Sequence, residues 1–139
     1  MTRAGGCKLV GKSALELVEE ANAMLNVISV EEAQSLIGHS DVVFVDVRDP
    51  NSVAETGIIP GGVNAPRGLL EFYADPEFEA FHKPELDPEK HIVVTCGLGG
   101  QAALSGKVLK EMGFKNVSNI EGGMAAWTEA NAPTEDFDE

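Results

Sequence analysis

The stretch His91-Ile92-Val93-Val94-Thr95-Cys96-Gly97-Leu98-Gly99-Gly100-Gln101-Ala102-Ala103-Leu104 constrains this chain more than any other. Its apolar run predicts a strand buried on both faces, as in a parallel sheet. The glycines that follow predict a tight loop, and the residues after them a helix. A strand that delivers a thiol to backbone amides at a helix N-terminus is a means of making a thiolate nucleophile. An inert buried cysteine, the common fate of a free thiol, requires no such concentration of glycine.

The rest of the chain bounds what such a loop can serve. A length of 139 residues suits one domain. The formal net charge of -13 argues against nucleic acid and anionic membranes as partners. It also means that a site handling an anion needs local positive potential. No apolar run approaches the ~20 residues of a membrane span. No apolar core of a signal peptide follows Met1-Thr2-Arg3-Ala4-Gly5-Gly6-Cys7. The expectation is a cytoplasmic protein. Cys7 and Cys96 make no disulfide framework, and His39, His82 and His91 form no ligand spacing with them. No metal and no cofactor are expected, and Cys7 reads as a free surface thiol.

Taken in order, residues 13–25 carry Leu15, Val18, Ala21 and Leu25 at helical spacing. Val27-Ile28 reads as a short strand. Ser29-Val30-Glu31-Glu32 is a capping box opening a helix through Ile37, closed by Gly38. Residues 41–47 read as a buried parallel strand, Val63 as the centre of a short one, and 69–74 as a helix. Pro76, Pro84 and Pro88 punctuate a long irregular connection. The helix after the cysteine loop runs to Met112, with Gly113 just past its end. A strand over 116–120 turns through Glu121-Gly122-Gly123 into a last helix over 124–130 that carries Trp127, read as core. Residues 133–139 read as an acidic, disordered tail. This alternation predicts a single α/β domain, with a mainly parallel central sheet and helices on both faces. Sites in such sheets lie at the carboxyl ends of strands, where Asp46 to Arg48, the Cys96 loop and Glu121-Gly122-Gly123 fall.

Two other chemistries fit the loop poorly. Residues 97–102 match the dinucleotide fingerprint G-x-G-x-x-A, with Glu121 as the acid about 20 residues on. Too little chain follows Glu121 to build a second nucleotide-binding half. A cysteine phosphatase needs an arginine after five intervening residues to wrap the phosphate; that position is Ala102.

The chain resembles the single-domain rhodaneses, a sulfurtransferase family, over about residues 26–130. The resemblance rests on Val45-Asp46-Val47-Arg48, Ile59-Pro60-Gly61-Gly62-Val63-Asn64-Ala65-Pro66, the loop from Cys96 to Gln101, and Asn119-Ile120-Glu121-Gly122-Gly123-Met124-Ala125-Ala126-Trp127. It divides the chain into a leader and amphipathic helix (1–25), a rhodanese-like domain (26–130) and an acidic tail (131–139). It implies the family's α/β fold and a persulfide on Cys96. That persulfide would form from a small sulfur donor such as thiosulfate and pass to a thiophilic acceptor: cyanide, a thiol or a protein. Gly97, Leu98, Gly99, Gly100 and Gln101 would form the substrate-binding loop. Two positions depart from the family pattern. Ile58 stands where the family usually has His, and Gln101 where it usually has Arg. Glutamine keeps some hydrogen bonding but brings no charge. Arg48 and Arg67 are the candidates to supply the missing charge. Arg48 reads first as an ion-pair partner of Asp46, Asp49 or Glu55, and Arg67 as a wall of the pocket. Leu69 and Phe72 read as apolar wall or core. Beside the sulfurtransferase stands a second expectation, a weakly active or non-catalytic sulfur-carrier module. The N-terminal helix is free to pack on its own domain or to mediate a homodimer.

Overall fold

Side chains of a strand alternate between its two faces, so an unbroken apolar run must be covered twice. The computed structural model, which describes residues 11–138, shows that arrangement. Cys7 and the thiol role expected of it lie outside these residues. The strands β1 (Asn26–Ile28), β2 (Val42–Asp46), β3 (Val63–Asn64), β4 (His91–Thr95) and β5 (Asn116–Ile120) form one parallel sheet in the order β1-β5-β4-β2-β3. The helices are α1 (Ala14–Asn22), α2 (Val30–Gln34), α3 (Pro50–Thr56), α4 (Leu70–Ala74), α5 (Gly100–Glu111) and α6 (Gly123–Glu129). On one face Val43, Val45, Ile92, Val94 and Val117 pack with Leu70, Ala74, Ala102 and Leu109 of α4 and α5. On the other, Phe44, Val93 and Ile120 pack with Ala33, Met124 and Trp127 of α2 and α6. The central strand thus serves two cores, and its carboxyl end opens between them.

Local signals account for most boundaries. Ser13 and Ser29 each accept a hydrogen bond from the backbone N–H three residues on, while Glu16 and Glu32 reach back in complete capping boxes. α2 stops at Gln34, short of the expected Ile37, and Gly38 takes the left-handed φ of +87° beyond it. α3 has no counterpart among the elements expected from the sequence. Its signal is Asp49-Pro50: the Asp49 carboxylate accepts from the Ser52 N–H, and proline occupies the first turn, where no amide partner is lost. α1 packs on α5 of its own domain, with the Asn119 side-chain amide donating to Asn22 Oδ1 at 2.9 Å.

The acidic tail departs from expectation. Glu135 pairs with Ile58 in an antiparallel bridge, its N–H and C=O both bonded at 2.8 and 2.9 Å, and its carboxylate accepts from the Gly61 N–H. The Trp127 indole donates to the Pro133 carbonyl at 2.8 Å. Composition favours a solvated tail, but two backbone bonds and an indole anchor outweigh it. Trp127 itself is fully buried, edge-on to Phe44.

Candidate active site

Cys96 leaves the end of β4 and enters a turn that starts α5. Gly99 is the N-cap of that helix, at φ +107°, where a side chain would be strained. A glycine cap has no side-chain oxygen to satisfy the helix's first amides. The sulfur of Cys96 takes that place: Sγ accepts the Gly99 N–H at 3.0 Å and the Ala102 N–H at 3.3 Å. It therefore sits at the positive end of a three-turn helix, where a negative charge gains ~0.3–1 kcal/mol when exposed and up to ~2 when partly buried. The side chain is 1% exposed, whereas Leu98 at the loop tip is 80% exposed. Of the loop residues 97–101, Gly99 is the one whose amide bonds the sulfur. The second amide is that of Ala102, beyond the expected loop, in the third position of the helix, where a capping acceptor is commonly met.

The closing segment of the chain cradles this loop. The first amides of α6 donate to it, Met124 to the Cys96 carbonyl at 2.7 Å and Ala125 to the Gly97 carbonyl at 3.0 Å. Gly123, at φ +59°, allows that approach, since a Cβ there would lie 2.5 Å from the Cys96 oxygen. The Asn119 amide donates to the Gly99 carbonyl at 3.1 Å. Gly123 thus makes room for the loop, and the Met124 and Ala125 amides hold it through backbone.

Beside the loop lies a cavity of about 410 Å³, lined by Arg48, Asp49, Arg67, Gly68, Gly97 and Gln101 among others. The exposed side chain of Gln101 stands on its wall where an arginine would bring charge. Arg48 is held elsewhere. Its guanidinium grips the buried Asp46 carboxylate in bidentate fashion, at 3.0 and 2.7 Å, and donates to Thr56 Oγ1 and the Gly57 carbonyl. It ties β2 to the end of α3, the ion-pair role read first from the sequence. Arg67 is one-third exposed and shares its charge with Glu71 at 3.1 Å. Hydrogen bonds from Ser52, first its backbone N–H and then its hydroxyl, hold the Asp49 carboxyl below the usual carboxylate range. Leu69 and Phe72 do not wall this cavity. Leu69 faces a separate cavity with Tyr73 and Phe137, and Phe72 packs on Phe78 at 4.8 Å. Among the described residues no group of His, Cys, Asp and Glu could hold a metal ion, and no helix is long and apolar enough to cross a membrane.

Comparison with known proteins places the fold. Residues 29–130 match the family of the Rhodanese-like domain. Thiosulfate sulfurtransferase GlpE of Pseudoalteromonas translucida is 33% identical over 106 residues, which span 74% of this chain and 89% of that protein. A Rhodopseudomonas palustris protein of unknown function, described as a possible tyrosine phosphatase, superposes with a TM-score of 0.85 at 37% identity, over 93% of this chain and 98% of that one. The polysulfide-sulfur transferase homodimer of Wolinella succinogenes superposes with a TM-score of 0.67 at 35% identity, over 88% and 86% of the two chains. With the parallel sheet, the cysteine at the end of its central strand and the family match across residues 29–130, this chain belongs to the rhodanese-like family.

Proposed function

We propose that this protein is a sulfurtransferase that carries sulfane sulfur as a persulfide on Cys96. The observation that carries the reading is the pair of amides, Gly99 and Ala102, aimed at Sγ from the start of α5. They stabilise a thiolate over a thiol because a charged acceptor gains more from each bond, ~1.5–3 kcal/mol against ~1 for a neutral pair. The thiolate attacks the outer sulfur of a donor such as thiosulfate. A bond forms between Sγ and that sulfur, the donor's S–S bond breaks, and sulfite departs with the electron pair. Cyanide or a thiolate acceptor then attacks the terminal sulfur of the persulfide and returns Cys96 as thiolate. A thiol that must stay reduced suits the cytoplasm. The loop offers phosphate no arginine to wrap it, and the sixth position after the cysteine, Ala102, gives the sulfur an amide instead.

One observation favours a second reading, a sulfur carrier loaded by a protein or thiol partner. The cavity's two arginines are both occupied, Arg48 by Asp46 and Arg67 by Glu71, and Gln101 adds no charge. Small anionic donors therefore meet little positive potential. Incubation with thiosulfate followed by intact-mass and peptide mass spectrometry tests the common core of both readings. The expected result is one added sulfur on Cys96, removed by cyanide. Absence of that adduct with thiosulfate, polysulfide and persulfide donors overturns both. Multiple turnovers select the enzyme, and stoichiometric loading alone selects the carrier. Equilibrium sedimentation of the full chain decides whether it shares the homodimeric state of the Wolinella protein.

A further inference from the structure

Asn119 lies at the carboxyl end of β5 and is 2% exposed. Its Nδ2 donates in two directions, to Asn22 Oδ1 on α1 at 2.9 Å and to the Gly99 carbonyl at 3.1 Å. That carbonyl also accepts the Ala103 N–H at 3.0 Å, the first hydrogen bond of α5. The N–H of the same glycine donates to the Cys96 sulfur. Only the two torsions of Gly99 separate the group that Asn119 holds from the group that faces the sulfur, and glycine torsions are the least restrained of any residue. The helix bond from Ala103 restrains that carbonyl from within α5, and Asn119 restrains it from outside the loop.

The other end of the Asn119 amide shows what the residue is for. Its Oδ1 is buried and has no donor among the described residues. Turning the amide over would set that oxygen against two acceptors, so the orientation is determined by its partners. A buried acceptor left unpaired is unfavourable, and an apolar residue of similar shape would avoid the penalty. Asparagine here makes sense through what its Nδ2 holds.

We propose that Asn119 is a positioning residue, which, anchored by Asn22 of α1, fixes Gly99 so that its N–H is aimed at the Cys96 sulfur. The inference rests on the reading of Cys96 as a thiolate nucleophile, and it makes α1, which lies outside the matched span 29–130, part of the site's support. The test is the pH profile of Cys96 alkylation by iodoacetamide, followed by peptide mass spectrometry on the full chain so that Cys7 is scored separately. In Asn119→Ala the profile moves to higher pH, and the rate at neutral pH falls by about threefold to tenfold, the range of one hydrogen bond. Asn22→Ala, at a half-buried surface position, moves it the same way by less. Wild-type profiles in both variants, with native far-UV circular dichroism, overturn the proposal. Should Asn119→Ala fail to fold, Asn22→Ala decides alone: a shifted profile supports the relay and an unshifted one overturns it. Alkylation needs the thiolate and access to it but no sulfur donor, so a failure to transfer sulfur leaves this test intact. A wild-type Cys96 that never alkylates overturns the thiolate reading and this proposal with it.

Discussion

At the scale of single residues, the chemistry of the loop turns on what stands at position 101. Gln101 is the second residue of α5, exposed, on the wall of the cavity beside Gly97. The nearest guanidinium groups do not replace an arginine there, because Arg48 is locked to Asp46 and Arg67 leans on Glu71. A hydrogen bond to a charged group is worth ~1.5–3 kcal/mol, and the exposed position places the gain at the lower end. Gln101→Arg should therefore raise kcat/KM for thiosulfate by about tenfold. Steady-state assays beside Cys96→Ser check this, the latter defining zero. An unchanged or lower rate would mean that Gln101 serves a donor without negative charge. Arg67 marks the limit of reading this site from sequence. Its place after Pro66 points to the cavity wall, where it stands; the acid that shares it, Glu71, lies only four residues on, a local pairing signal that the sequence analysis left unused.

At the scale of elements, the parts legible in advance were those with local causes. The capping box at Ser29, the buried run of β4 and the glycine after α5 follow from a few neighbouring residues, and each forms where its signal stands; the equally local box of Ser13 and Glu16 emerges only in the structure. The parts not legible depend on long-range partners. The bridge of Glu135 to Ile58 joins residues distant in the chain, and composition alone argues for a loose tail. The cradle that α6 offers to the Cys96 and Gly97 carbonyls likewise appears only when β4 and β5 lie side by side. That pairing also sets a pH dependence. His91 opens β4 with its Nε2 2.7 Å from Ser118 Oγ of β5. Burial pushes its pKa below the usual 6.5, against a weaker opposing pull from the Asp41 carboxylate. The folded state then binds fewer protons than the unfolded chain once pH falls below about 6.5, so stability rises with pH across that window. The contribution is fully present above the unfolded value and is lost as pH falls toward the folded one. Urea midpoints should drop between pH 7.5 and 5.5, and His91→Asn should drop by less over the same interval. Equal drops would show that the ring is protonated as readily in the fold as outside it.

At the scale of the whole molecule, the charge is the feature most at odds with an anionic donor. The chain carries a formal net charge of -13, and its pocket does not reverse that field locally. Arg48 is paired with Asp46 and Arg67 with Glu71, and Asp49 adds a third carboxylate to the cavity lining, so the positive potential left there is that of the amides at the start of α5. Amide dipoles act within the first turn of the helix, whereas net charge acts over the Debye length. A thiosulfate dianion is therefore repelled on approach and attracted only on arrival. Raising ionic strength from 0.01 to 0.15 M shortens the Debye length from ~30 to ~8 Å and removes most of the repulsion. The expected outcome is a rise of several-fold in kcat/KM for thiosulfate over that range, since steering of charged ligands is a rate effect. With donor saturating and a singly charged thiolate as the varied acceptor, the same salt should raise kcat/KM for the acceptor by less than it does for the thiosulfate dianion. A fall in the thiosulfate rate with salt would show instead that Arg67 escapes Glu71 when the donor enters and steers it to the loop. The slope of that one titration thus separates a site built for small anions from one that waits for a neutral or protein-borne sulfur.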